Sequence, residues 1–310
     1  MPEILVTEFM DAAALDALRV DHDVHYDPSL VDKADVLAQL AQSARALIVR
    51  NRTQVRAGLL AHAPNLIVVG RLGVGLDNID VDDCRARDIQ VYPATGANDV
   101  AVAEYVVCGI LMLLRGAYHA SAEVAAGAWP RTRLMGREVS GKRLGLIGFG
   151  AIARETAQRV RALGMEVAAF DPFVAADDPA WRAHGVTPRS LDDLLAESDA
   201  VSLHVPLTPQ TRNLINAAAL DRMKAGAVLI NAARGGVVDE AALAAALRRG
   251  AIGGAMLDVF EAEPLGAGSA LCDVPNLILT PHIAGVTEES NVRVSALIAS
   301  KVSQALKGRS

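Results

Sequence analysis

The sequence predicts an α/β fold of two doubly wound parallel-sheet domains with a cleft between them. Three observations lead there. Short β-branched runs alternate with Ala- and Leu-rich stretches of helical period from end to end, the pattern of parallel βαβ units. A chain of 310 residues exceeds what one hydrophobic core organises, so two domains are expected. A stretch without a strand-length apolar run, Val102 to Leu144, separates two sets of strands.

The first set comprises Ile4–Val6, a weak run near Val24–Tyr26, Ala46–Val49, Leu66–Val69 and Gln90–Tyr92. Asn98, a residue suited to capping, then opens a long apolar helix through Leu114. A Gly-, Trp-, Pro- and Arg-rich stretch, Gly127 to Gly136, leads into the second set. That set is more regular: Leu144–Ile147, Val167–Phe170, Ala200–His204, Ala227–Asn231, Gly254–Asp258 and Leu277–Leu279, about one strand plus one helix apart. Glu288 to Leu306 reads as a closing helix with no strand after it.

Composition removes several function classes. Hydrophobic residues make up 52% and charged residues 21%, with a mean hydropathy of +0.27, which excludes disorder. No apolar run reaches the ~20 residues of a spanning helix, and Tyr105–Leu114, closed by Arg115, reads as buried. A net charge of −6 and a pI near 5.7 argue against a nucleic-acid surface. Cys84, Cys108 and Cys272 have neither metal spacing nor disulfide density, so no metal is expected. The chain enters a strand pattern at once, without a signal-like stretch, and a soluble cytoplasmic protein is expected.

Two Gly-x-Gly turns stand out. In Gly148-Phe149-Gly150-Ala151-Ile152-Ala153 the glycines follow an apolar strand and open a helix. Gly148 permits the tight turn, and Gly150 lets the backbone approach a pyrophosphate at the helix N-terminus. Asp171 lies 21 residues past Gly150, at the end of the next strand, where a carboxylate accepts ribose hydroxyls. That acid repels a 2′-phosphate, and no arginine follows before Arg182, so NAD is expected rather than NADP. The other turn, Gly73-Val74-Gly75, has Asn78 where a third glycine would fall and Thr95 where the acid would. It reads as an anion-binding turn for a carboxylate, or as a turn that needs glycine only for its backbone.

Chemistry-bearing residues gather where strands end. His204 and His282 each follow a sheet strand at the carboxyl edge, where α/β sheets bind ligands. His22, His25, His62, His119 and His184 sit in polar or helical contexts and read as solvated. Arg234, Asp258 and Glu263 also lie beyond strand ends in the second set. Hydride transfer to a 2-oxo acid needs a proton donor, a cation for the carboxylate and a group that tunes the donor, and His, Arg and Glu supply all three. Taken singly, each has an ordinary explanation: a helix-end charge, a turn residue, a loop histidine.

Together these motifs resemble the D-isomer-specific 2-hydroxyacid dehydrogenase family over nearly the whole chain. The resemblance rests on Gly73 to Asp80, Asn98 to Glu104, Gly148 to Ala153, His204 to Thr208, Asn231 to Gly236, Asp258 to Pro264 and Thr280-Pro281-His282. It implies His282 as acid/base, Glu263 as its partner and Arg234 as the residue orienting the substrate carboxylate and carbonyl. Val74 and Gly75, with Gly73, would bind the carboxylate, and Asp258 would contact the nicotinamide amide. Val205, Pro206, Ala232, Ala233 and Gly285 complete the expected cofactor surface with Gly148, Gly150, Ala151, Ile152 and Asp171. The implied domains are Rossmann-like or flavodoxin-like. Residues 98–287 form an NAD-binding insertion, and residues 1–97 with 288–310 form the substrate domain. A homodimer through the cofactor domain and about Val102 to Met135 is also implied. Ala153 stands where many members have glycine, Val74 is less polar than in some, and no regulatory domain is expected after Ser310.

The expected substrate is a 2-hydroxy/2-oxo acid with a second anionic group, like phosphoglycerate or sulfolactate. Arg50 and Arg52 follow the strand Ala46–Val49, and Arg131 and Arg133 match further basic positions of phosphoglycerate dehydrogenases. The alternatives are structural arginines with a small substrate such as glyoxylate or hydroxypyruvate, or an NAD(H)-sensing corepressor-like binding protein. Formate dehydrogenases fit less well, since they carry Gln where Glu263 stands.

Overall fold

The computed structural model describes residues 2–308 of the chain, which form two compact units: 2–98 with 286–308, and 99–285. The divisions fall one and two residues from the expected 97/98 and 287/288. Asn98 stays with the first unit, and so does Thr287, which caps the helix Glu288–Lys307 in a reciprocal box with Ser290.

The first unit is a five-stranded parallel sheet: β1 (Ile4–Val6), β2 (Val24–Tyr26), β3 (Ala46–Val49), β4 (Val68–Arg71) and β5 (Gln90–Pro93), in the order β2-β1-β3-β4-β5. This is the flavodoxin-like order. Alternation along β1 sorts the core. Ile4 and Val6 join Leu15, Leu18, Ile298 and Val302 on one face, while Leu5 joins Leu37, Leu60 and Cys84 on the other. β4 begins two residues later than the apolar run Leu66–Val69 suggested, because pairing of Ala46 with Val68 and Val49 with Arg71 sets its register.

The second unit holds seven parallel strands: β6 (Arg143–Ile147), β7 (Glu166–Phe170), β8 (Thr187–Pro188), β9 (Ala200–Leu203), β10 (Val228–Asn231), β11 (Gly254–Leu257) and β12 (Leu277–Leu279). They run in the order β12-β11-β10-β9-β6-β7-β8, a Rossmann-type order with one strand beyond it. The two-residue β8 lacks any apolar run and escaped sequence reading; it is defined only by its pairing with Ala168 and Ala169. On one face the helix Asp99–Arg115 buries Val106, Ile110 and Leu114 against Leu144, Leu146, Val228 and Ile230, each such burial contributing roughly 1.5–3 kcal/mol. Asn98 does not cap that helix as expected, for its side-chain oxygen is buried without a hydrogen-bond partner. Among the described residues no single helix is long and apolar enough to cross a membrane.

Candidate active site

Parallel pairing brings the chemistry together within the second unit. β10, β11 and β12 are neighbours, with Asn231 level with Leu257 and Leu257 level with Leu279. Arg234, Asp258 with Glu263, and His282 therefore leave three adjacent strands at one carboxyl edge.

Each residue is held from below. Asn231, 1% exposed, accepts the Ala233 N–H at 3.0 Å and donates to the Arg234 carbonyl at 2.9 Å, shaping the turn that presents Arg234. Arg234 Nη1 donates to the Ala233 carbonyl at 2.5 Å. Gly235 is required here, since a Cβ would fall on the Phe260 carbonyl. Glu263 accepts the Phe260 N–H on Oε1 at 3.0 Å, and its Oε2 meets His282 Nδ1 at 2.7 Å. Burial pushes the Glu263 carboxyl up, but the His282 bond, the Phe260 N–H and the charge of Arg234 outweigh it and hold it below its usual range. An ionised Glu263 accepts Nδ1–H, which leaves Nε2 as the position for proton delivery. His282 itself sits at φ 54°, a left-handed conformation costing a non-glycine residue about 1–3 kcal/mol.

The other edge histidine behaves differently. His204 Nε2 lies 3.0 Å from Ser202 Oγ, and burial pushes its imidazole down to about 4, so it stays neutral near pH 7. Among the described residues only His282 combines a carboxylate partner with an exposed side chain, 37% in each of the pair. Of the five histidines read as solvated, His22 is not. Its ring is 6% exposed and bridges Glu3 and Ser303, both at 2.9 Å.

The glycine turn fits a dinucleotide. Gly148 has φ +93°, and a Cβ there would lie 2.5 Å from the His204 carbonyl, so the turn needs glycine for itself. Gly150 differs: nothing lies within 4 Å of the Cβ it lacks, and the helix Ala151–Ala162 that it opens has no side-chain cap and no acid in its first turn. Open space before unsatisfied N–H groups suits a pyrophosphate. Asp171 accepts the Phe149 N–H on Oδ2 and the Phe173 N–H on Oδ1, both at 2.9 Å, and each oxygen keeps a lone pair for ribose. Asp258 is 1% exposed and its carboxylate is largely occupied by Thr280, Ile283 and Ala284 of the turn after β12, with one acceptor position left on Oδ2.

The first unit supplies a separate basic edge. Arg50 and Arg52 sit beyond β3, where the N–H groups of Arg50, Asn51, Arg52 and Thr53 all donate to the buried Glu8 carboxylate at 2.9–3.1 Å. Burial raises the Glu8 carboxyl, but these bonds bring it below its usual value. Arg52 is drawn into an exposed pair with Asp32, and Arg133 into one with Glu123. Half-buried Arg50 donates to Asn291 Oδ1 at 2.6 Å. Arg71, which sequence reasoning passed over, donates to Asn51 Oδ1 at 2.6 Å and folds its guanidinium over Gly73, where a Cβ would collide with it. Its position directly before Leu72-Gly73-Val74-Gly75 was the available signal. Glu8 had none, being joined to its loop across 42 residues or more.

The family model for the NAD-binding domain of D-isomer-specific 2-hydroxyacid dehydrogenases matches residues 107–284, more than half of the chain. The chain belongs to the D-isomer-specific 2-hydroxyacid dehydrogenase family. An (S)-sulfolactate dehydrogenase from Chromohalobacter salexigens is 58% identical over 306 residues, 99% of each chain. A D-3-phosphoglycerate dehydrogenase from Archaeoglobus fulgidus is 38% identical over 308 residues, and the chain spans only 58% of that protein. The crystal structure of D-lactate dehydrogenase from Aquifex aeolicus with NAD and lactic acid matches with a TM-score of 0.85 and 30% identity, covering 98% of this chain and 95% of that one. The dehydrogenase is accordingly an NAD-dependent oxidoreductase of 2-hydroxy acids. Bound NAD supplies or accepts the hydride; the protein's own task is to orient the substrate and move the proton.

Proposed function

We propose that this dehydrogenase interconverts a 3-sulfonated 2-hydroxy acid, (S)-sulfolactate or a close analogue, with its 2-oxo form. The 58% identity over 99% of both chains to a sulfolactate dehydrogenase carries the substrate assignment. Basic residues at the first unit's edge are in keeping with an anionic tail: Arg50, Arg52 and Arg71 gather beyond β3 and β4, with Arg52 paired to Asp32 and Arg71 bonded to Asn51.

In this reading His282 delivers the proton to the carbonyl oxygen during reduction, Glu263 orients and stabilises the imidazolium, and Arg234 aligns carboxylate and carbonyl. Gly73, Val74 and Gly75 offer backbone N–H groups to the carboxylate, and Arg50 and Arg71 grip the tail. Gly148, Gly150, Ala151, Ile152, Asp171, Val205, Pro206, Ala232, Ala233, Asp258 and Gly285 line the NAD surface. The protein works as a homodimer; the exposed Tyr118 (61%), Trp129 (76%) and Met135 (78%) in the expected interface segment support this. Light scattering that returns a monomer mass would reject it.

The substrate test is NADH oxidation with 3-sulfopyruvate, 3-phosphohydroxypyruvate, hydroxypyruvate and glyoxylate. Sulfopyruvate is expected to lead, and R71A is expected to lower its kcat/KM about 100-fold while changing glyoxylate less than threefold. Equal losses on both, or a lead for glyoxylate or hydroxypyruvate, would reject the anionic tail.

A further inference from the structure

One buried aspartate holds the turn that carries His282. The N–H of His282 donates to the Asp258 backbone carbonyl at 2.8 Å, that of Ile283 to Asp258 Oδ1 at 2.8 Å, and that of Ala284 to Oδ2 at 2.7 Å. Three consecutive donors therefore converge on one residue. Since His282 adopts φ 54°, the turn keeps a conformation that L residues avoid only while these contacts persist.

The aspartate is itself oriented. Thr280 Oγ1 donates to Asp258 Oδ1 at 2.6 Å. With that proton committed, the Thr280 oxygen can only accept, so Tyr105 Oη, 2.5 Å away, is the donor. Burial pushes the Tyr105 phenol up, and the Asp258 charge adds to that against the Thr280 bond, so the donor stays protonated. Tyr105 stands on the helix Asp99–Arg115, whose Val106, Ile110 and Leu114 are fixed in the core.

We infer that Tyr105 and Thr280 are positioning residues for the acid/base imidazole, acting through Asp258 on the turn that bears His282. The chain runs Tyr105 to Thr280 to Asp258 to the 282–284 backbone, and it links a rigid helix to a strained catalytic turn. A misplacement of about 1 Å at a proton donor costs on the order of 10²-fold in rate, so loosening any link registers in kcat. The inference rests on His282 being the proton donor.

The test compares Y105F, T280V, T280S and H282Q in the reduction of 3-sulfopyruvate, with hydroxypyruvate and glyoxylate alongside. Measured are kcat, KM, NADH affinity by fluorescence, melting temperature, and the kinetic isotope effect with NADH deuterated at the transferred position. Y105F is expected to lower kcat about 5- to 20-fold and T280V about 30- to 100-fold, with T280S within threefold of wild type. KM and NADH affinity are expected to stay within about threefold, and the isotope effect on kcat to rise in Y105F and T280V as chemistry becomes limiting. Wild-type kcat and isotope effect in both variants would overturn the inference, as would losses confined to NADH affinity or a T280S as impaired as T280V. If H282Q retains full kcat, the reading of His282 fails instead.

Discussion

Replacing Glu263 with Gln preserves shape and removes a negative charge whose oxygen lies 2.7 Å from His282 Nδ1. The amide oxygen can serve only one of the two present partners, the Phe260 N–H or the imidazole N–H. Charge centres about 4 Å apart attract by about 1 kcal/mol in water and about 4 kcal/mol at an effective dielectric of 20. Both side chains are 37% exposed, so screening places the pair near the middle, at about 2 kcal/mol. At 1.36 kcal/mol per decade that is about a 30-fold fall in kcat for 2-oxo acid reduction, with KM and NADH affinity within about threefold. Because the Glu263 carboxyl lies below its ordinary 4.5, its negative charge is complete above that value and is lost only as pH falls through the lowered one. Steady-state NADH absorbance from pH 5 to 9 therefore shows the deficit of E263Q at every pH sampled. A kcat within twofold of wild type across that range, or a loss lying entirely in NADH affinity, would refute the assignment of Glu263 as the imidazole's partner.

Two further outcomes follow from the same structure. E8Q deprives two of four backbone N–H groups of an acceptor, at a cost of about 3 kcal/mol of stability at pH 7. Because the Glu8 carboxyl lies below its ordinary 4.5 in the folded protein, its contribution is full above that value and disappears as pH falls through the lowered one. The gap in melting temperature between wild type and E8Q should thus be widest above pH 4.5 and shrink as the pH is taken progressively below it; a gap that stays constant down the whole acid series contradicts the clamp. The two glycines of the dinucleotide turn should separate in a paired test. G148A places a Cβ 2.5 Å from a carbonyl at φ +93° and should lose about 2 kcal/mol of stability as well as NADH binding. G150A meets open space, so it should melt within about 0.5 kcal/mol of wild type yet bind NADH at least tenfold more weakly. Thermal melts and NADH titration of both variants decide it, and equal stability losses would remove the case for Gly150 as the pyrophosphate's approach.

Features that depend on local periodicity, or on residues close in the chain, were legible before any fold was known. Apolar runs announced eleven of the twelve strands found among the described residues, and the Gly148 turn followed by Asp171 was legible as the candidate dinucleotide turn. Arg234, Glu263 and His282 were legible because each falls just past a strand, and parallel strands must end at a common edge. Tertiary structure decided what long-range contacts alone create. β8 exists only through its neighbour, and β4 takes its limits from β3 rather than from its own hydrophobicity. Glu8 reaches a loop more than forty residues on, His22 is buried by residues from both ends of the chain, and Arg52 is turned aside by Asp32. Tyr105 meets Thr280 across 175 residues. A polar group's partner is set by where the fold brings the chain back, and that return leaves no trace in the local pattern.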